Sequence, residues 1–355
     1  MSAQLSSKVA EAARCDSSGN HARALSLLAE ACGQGDVEAM TRLGKRLLVA
    51  SDAPDRPEEG AKLIRTAAQL GGAESAALYA VLSAIGMYIA QSWDTALGAL
   101  VASAERDWPA AQRQLRVLAA DGDPGSGALG ARAVDPALWR RLAATIDLAQ
   151  WHTPPTGASL SDSPLVRHFP SFASAAVCDW LIDKARGRLV RAPVYSQTTR
   201  KEKISETRTN TWAMFNVLEA DIVSVLVQVR MCATVGVLLR QLEPLSVLHY
   251  AVGEQITNHF DFVDPLQTPN YEQELAENGQ RIVTFLVYLN DDYAGGRTDM
   301  PEVGISHKGR KGEGLYFVNS LPNGDPDRRT LHAGCPPTSG EKWVVSQFMR
   351  GRPLF

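Results

Sequence analysis

Slid along itself by 36 positions, the segment from residue 20 to residue 120 matches itself three times without a gap. No other feature restricts the folding of this 355-residue chain as much. The shared columns are Ala24/Gly60/Ala96, Leu28/Ile64/Leu100, Ala31/Ala67/Ser103, Ala39/Ser75/Ala111 and Leu43/Tyr79/Leu115. Leu28 and Ala31 lie three apart, and Ala39 and Leu43 four apart, which places each pair on one face of an α-helix. Each unit therefore reads as two amphipathic helices, with turns at Gly33-Gln34-Gly35-Asp36 and Gly71-Gly72 in the first two. Small residues in the shared columns let paired helices approach closely. About three such units are the minimum for a stack that supports itself.

The repeat resembles the Sel1-like and tetratricopeptide class of helix-turn-helix repeats, through composition and period, with a degenerate third unit. Such stacks offer a concave groove, so one expectation is a protein- or peptide-binding surface. The other is a module that only packs as a scaffold or dimer wedge. A helical repeat by itself names no ligand.

The repeat module is expected over 1–130. A turn-forming run at 121–127 follows it, then a helical pattern from Asp135 to Trp151. Residues 152–164, with Pro154, Pro155 and Pro164, read as linker, so 131–164 is assigned to helix and linker. The remainder, 165–355, forms the second domain. It has helical stretches at Phe172 to Leu189 and Ala220 to Leu242. Short apolar segments follow at Ser246–Val252, Arg281–Leu289, Leu315–Asn319 and Lys342–Met349, each bounded by turn formers. The expected fold class is α+β: an all-α repeat module, then strands closing as a sandwich or barrel with supporting helices.

A net charge of -3 gives no reason to expect a nucleic-acid or anionic-membrane surface. No segment approaches the roughly 18 apolar residues of a spanning helix, and residues 1–16 lack the apolar stretch of a signal peptide. Five scattered cysteines include no Cys-x-x-Cys pair. A reducing cytoplasm is the simplest expectation.

The second domain carries His259-Phe260-Asp261, answered by a distant His332 and then, ten positions later, by Lys342. Two imidazoles and a carboxylate can occupy one face of an octahedral iron and leave the other open, the arrangement of non-haem Fe(II) oxygenases. His-x-Asp alone is a weak signal; the distal histidine and the spaced lysine strengthen it. The other histidines, His21, His152, His168, His249 and His307, have no partner at ligand spacing and read as structural or exposed. A zinc hydrolase using the same three ligands would need a general base, and no glutamate stands beside His259 or His332 as in a zincin motif.

The order Tyr250-x-x-Gly253, His259-x-Asp261, Arg281 to Asn290 with Tyr288, Gly295-Gly296-Arg297-Thr298, Gly314-Leu315-Tyr316-Phe317, Leu331 to Pro336 and Gly340-Glu341-Lys342-Trp343 resembles the prolyl 4-hydroxylase branch of the Fe(II)/2-oxoglutarate-dependent dioxygenases. The resemblance covers about residues 165–352. It implies a double-stranded β-helix, or jelly roll. It also implies His259, Asp261 and His332 as iron ligands and Lys342 on the distal carboxylate of 2-oxoglutarate, with Tyr288 and Tyr250 as further cosubstrate contacts. Met300 stands where the family has an aromatic, which puts the substrate pocket in doubt rather than the chemistry. Arg208, Trp212, Arg281 and Trp343 are candidates for substrate contact.

The implied reaction uses Fe(II), 2-oxoglutarate and O2, with ascorbate among the expected small molecules, and hydroxylates a C–H bond while releasing succinate and CO2. The implied target is a prolyl residue in a peptide or protein, or a proline-like amino acid. Two alternatives stay open. One is a hydroxylase of a free or carrier-bound amino acid in a biosynthetic pathway; the other is a repeat-based adaptor with an inactive oxygenase domain.

Overall fold

The computed structural model describes residues 2–122, 137–196, 201–203, 205–268 and 270–355. The end of the turn-forming run expected at 121–127 lies outside them. Two compact units emerge, Met1–Asp147 with Val217–Val225, and Leu148–Asn216 with Leu226–Phe355. Among the described residues no helix is long and apolar enough to cross a membrane.

The first unit contains α1 (Ser2–Ser17), α2 (His21–Gly33), α3 (Val37–Leu48), α4 (Pro57–Gln69), α5 (Ala73–Ile85), α6 (Trp93–Glu105), α7 (Pro109–Gly122) and α8 (Leu138–Ala144). The pairs α2–α3, α4–α5 and α6–α7 are the three hairpins that the repeat predicts. Every residue of the shared columns is buried except Tyr79. The period extends to the helix starts. Asn20, Asp36 and Ser92 each accept a backbone N–H three residues on, from Arg23, Ala39 and Thr95. A helix leaves its first N–H groups without partners, so each such cap contributes about 1 kcal/mol. Arg56 takes the equivalent place before α4 without capping it, and Pro57 opens that helix instead. At the α3–α4 crossing, a Cβ on Gly60 would lie 2.7 Å from the Gly44 carbonyl oxygen. Only glycine permits that approach. α1, preceding the repeat, adds Val9 and Ala12 to the cluster under α2 and α3.

The second unit begins with α9 (Leu148–His152), β1 (Ala158–Asp162), β2 (Leu165–Phe169), α10 (Ala175–Arg186), β3 (Val190–Arg191), β4 (Val194–Ser196), β5 (Lys201–Lys203) and β6 (Thr211–Phe215). It holds most of α11 (Ile222–Val235), then β7 (Leu245–Tyr250), β8 (Ile256–His259), α12 (Tyr271–Asn278) and β9 (Arg281–Tyr288). The last strands are β10 (Ala294–Gly295), β11 (Thr298–Met300), β12 (Ile305–His307), β13 (Gly314–Val318), β14 (His332–Gly334), β15 (Pro337–Ser339) and β16 (Lys342–Arg350). β1 falls inside the stretch that reads as linker. Asp162 pairs with Leu165, so Ser163-Pro164 is a two-residue hairpin connection.

One sheet runs β1-β2-β13-β9-β16-β7-β6-β3, and the other β12-β11-β14-β8. Two-stranded ribbons β10–β15 and β4–β5 complete the set, and the named pairings are antiparallel. The two sheets enclose one core. Leu248, Tyr250, Leu286, Tyr288, Leu315 and Val344 come from the larger sheet, and Ile256 and Met300 from the smaller. This is a double-stranded β-helix. β9 and β16 sit inside the larger sheet and are buried along most of their length, as unbroken apolar runs such as Val283 to Tyr288 require.

Candidate metal and cosubstrate site

β8 and β14 pair so that His259 and His332 stand opposite one another in register. Asp261 lies just past the end of β8. His259 Nε2 is 3.4 Å from Asp261 Oδ1, and His332 Nε2 is 3.2 Å from Asp261 Oδ2. The three ligand atoms lie within 4.8 Å of one another. Asp261 and His332 are buried, while His259 is half-buried.

The imidazoles are oriented from behind in the same way. His259 Nδ1 is 2.9 Å from the Thr257 carbonyl oxygen, and His332 Nδ1 is 2.9 Å from that of Thr330. A carbonyl only accepts, so Nδ1 of each ring carries a proton and Nε2 is the atom turned toward Asp261. Asp261 Oδ2 accepts from Thr284 Oγ1 at 2.7 Å, and Thr284 Oγ1 accepts in turn from Asn319 Nδ2 at 2.9 Å. This buried relay runs from β9 to the residue after β13. Thr284 and Asn319 have no motif of their own. Their signal is polarity in the middle or at the end of otherwise apolar strands.

Burial alone would raise the Asp261 carboxyl, but the charge on His332 and hydrogen bonds from both histidines hold it well below the carboxylate range. Burial and the neighbouring His332 hold His259 below its ordinary value, against the pull of Asp261. Burial would lower His332 too, yet Asp261 outweighs it and raises that imidazole. The carboxylate and the two imidazoles are thus strongly coupled, with Nε2 of each ring facing Asp261. Two oriented imidazole nitrogens and a carboxylate, with His259 toward solvent, form a donor set that suits non-haem iron.

Lys342 opens β16 opposite Tyr250 of β7. It is 1% exposed, and among the described residues no carboxylate lies within ion-pair distance of its Nζ. Burial pushes it down to about 8, against weaker opposing pulls from Cys335 and Asp299. A buried ammonium without a counter-charge is costly, and a ligand carboxylate would relieve that cost. Lys342 Nζ lies 5.1 Å from the Tyr250 ring centroid and 5.7 Å from that of Tyr288. The Tyr288 hydroxyl donates to Thr298 Oγ1 at 2.8 Å. Met300, standing where an aromatic was expected, is fully buried in the core with both tyrosines. The residues thus fit both iron and a dicarboxylate.

The four substrate candidates divide. Arg208 and Trp212 are half-buried and adjacent, with the guanidinium 5.5 Å from the Trp212 ring. Arg208 also bridges to Ile256 at the start of β8. Arg281 and Trp343 have other tasks. Arg281 Nε and Nη2 donate to Glu243 at 2.7 and 2.8 Å, a bidentate pair that occupies the guanidinium. Trp343 is 1% exposed beneath His249, with ring centroids 4.3 Å apart. His249 itself binds Glu341 at 2.8 Å and Thr211 at 3.0 Å. His168 and His307 are not the isolated histidines that their sequence spacing suggests: both lie 3.4 Å from Glu313.

The profile of the 2OG-Fe(II) oxygenase superfamily matches residues 245–350. Prolyl 4-hydroxylase subunit alpha-1 of Rattus norvegicus is 35% identical over 191 residues, which is 54% of this chain and 35% of that protein. The chain thus spans about a third of the length of that relative. Probable prolyl 4-hydroxylase 9 of Arabidopsis thaliana is 30% identical over 208 residues, covering 54% of this chain and 70% of that protein. Among solved structures, the viral collagen prolyl hydroxylase from Paramecium Bursaria Chlorella virus-1 in its 2OG complex is 23% identical. It covers 54% of this chain and 99% of that one, with a TM-score of 0.41. In the matched region stand the paired imidazoles, the carboxylate between them and the buried lysine, and the chain belongs to the prolyl 4-hydroxylase branch of the 2OG-Fe(II) oxygenase superfamily.

Proposed function

We propose that this protein is an Fe(II)- and 2-oxoglutarate-dependent dioxygenase that hydroxylates an unactivated C–H bond of a prolyl residue in a peptide or protein. One observation carries the reading. A cluster of His259, Asp261 and His332 shares a domain interior with a buried lysine that has no counter-ion among the described residues. Iron and 2-oxoglutarate, when bound, supply the oxidising power that puts one atom of O2 on the target carbon and the other into succinate as CO2 leaves.

The protein's own part is positional. Thr257 and Thr330 carbonyls fix the two imidazoles so that their Nε2 atoms would be free to hold the metal, and Thr284 keeps Asp261 from turning away. Lys342 would take the distal carboxylate of the cosubstrate, with Tyr250 and Tyr288 walling its methylene chain. Met300, Ile256 and Leu286 exclude water from the same interior. Arg208 and Trp212 are our candidates for holding the substrate, supported by the bridge from Arg208 to Ile256 on the strand that ends in His259. The prolyl target follows from the activity in the relatives' names. The helical repeat supports a polymeric substrate, because a stack of hairpins offers a long surface for chain binding.

Five free cysteines support a reducing compartment, and we place the protein in the cytoplasm. The test is succinate formation from 2-oxoglutarate with added Fe(II) and ascorbate, alongside mass spectrometry of proline-rich peptides and free proline. A gain of one oxygen on peptide proline supports the proposal. Oxygen gained only by the free amino acid would redirect it to a biosynthetic hydroxylase. No iron-dependent turnover in either case would overturn it.

A further inference from the structure

A second set of two histidines and a carboxylate lies in the same unit, with none of the first triad's residues. His168 comes from β2, His307 from β12, and Glu313 immediately precedes β13. Their ligand atoms lie within 4.8 Å of one another. Glu313 Oε2 is 3.4 Å from His168 Nε2 and 3.4 Å from His307 Nε2. Bonds of about 2.0–2.1 Å at tetrahedral angles place neighbouring ligand atoms about 3.3–3.4 Å apart. The carboxylate oxygen thus already stands at the ligand spacing of a tetrahedral ion.

Apart from the facing Glu313 oxygen, nothing among the described residues answers the two nitrogens. Both Nε2 atoms are buried, and neither makes a hydrogen bond among the described residues. Buried polar atoms are rarely left so, and an ion is one of the few explanations. The groups are also held in place. Gly312 N–H donates to the Tyr288 carbonyl at 2.8 Å, and Tyr288 N–H donates to the Glu313 carbonyl at 2.9 Å. The Arg310 N–H donates to Glu313 Oε2 at 2.9 Å, leaving that oxygen a further lone pair. His168 is pinned opposite Leu315, and His307 opposite Thr298.

We propose that His168, His307 and Glu313 form a second metal site, taking a zinc-class divalent cation with tetrahedral preference and a water as fourth ligand. Nitrogen-rich, low-coordinate sites of this kind suit zinc. The ion would join the two sheets, since β2 and β13 belong to the larger and β12 to the smaller. It would also stiffen the wall behind Tyr288, whose ring centroid is 5.5 Å from that of His307.

The experiment is equilibrium dialysis of the chelator-stripped full chain against Zn2+, with metal counted by mass spectrometry. Wild type should hold two equivalents, because zinc also enters the first triad. The His259→Ala/Asp261→Ala variant should keep one, and adding His168→Gln or His307→Gln should remove it. Zinc should raise the Tm of the double variant and leave that of the triple variants unchanged. Zinc-edge X-ray absorption on the double variant needs no further mutation; it should show two imidazoles and oxygen ligands. A double variant that binds no zinc overturns the proposal, as does an equivalent that survives loss of either histidine or a zinc spectrum without imidazole. The reading of the first triad fails separately: there, wild type would hold one equivalent that is lost on His307→Gln and kept in the double variant.

Discussion

Asp261 is held by His259, His332 and Thr284 at once, which leaves its carboxylate little freedom to turn. Thr284→Val removes the one contact that no metal could replace. It should weaken Fe(II) binding about tenfold to a hundredfold while the fold persists, as read by metal titration. Asp261→Ala should abolish iron-dependent succinate formation altogether. The pairing of His332 with Asp261 gives a sign to the pH dependence. His332 is raised above its ordinary 6.5, so its pairing stabilises the metal-free protein fully below that value and is lost as pH rises through the raised one. The Tm of metal-free protein should therefore fall across that window. Metal affinity should move the other way, weakening as acid restores the competing proton. Lys342, pushed down to about 8, must be charged to hold a carboxylate. Affinity for 2-oxoglutarate, followed by calorimetry, should drop about tenfold per pH unit above that value. Lys342→Met should abolish cosubstrate binding yet raise the Tm, because an uncompensated buried charge becomes apolar.

Helices and strands differ in how openly they are written. The hairpins of the first unit are legible because one packing solution is used three times, so column residues such as Ala31, Ala67 and Ser103 must all be small. Gly60→Ala should therefore cost about 1–3 kcal/mol by chemical denaturation, since its Cβ would press on the Gly44 carbonyl with only backbone to yield. Asp36→Ala, removing the α3 cap, should cost about 1 kcal/mol in the same measurement. β9 and β16 are legible as apolar runs. β1 is not: Ala158 to Asp162 is a mostly exposed polar edge strand, and the Ser163-Pro164 connection has the composition of a linker. Arg281 and Trp343 show a related limit of the sequence: it did not reveal the Glu243 pair of the one or the burial of the other. A motif shows that a residue stands near a site; it does not show which way the side chain points on a strand that alternates faces.

At the scale of the molecule, ligands that bind only the folded state add to its stability. Saturating Fe(II) with 2-oxoglutarate at about 100 times its dissociation constant should stabilise the protein by about 2.7 kcal/mol, read as a rise in Tm. The amino-acid order alone determined the helical repeat and the β-rich second domain, and its motif spacing singled out the three residues that meet in the first cluster. Those features depend on local periodicity or on motif spacing, and both are one-dimensional. Only the tertiary structure decided that Thr284 and Asn319 support Asp261, that Glu243 claims Arg281, and that His168, His307 and Glu313 meet. Those residues come together through sheet register and strand crossover between segments far apart in the chain. Spacing along the chain carries no record of such encounters; the packing of the two sheets around one core creates them.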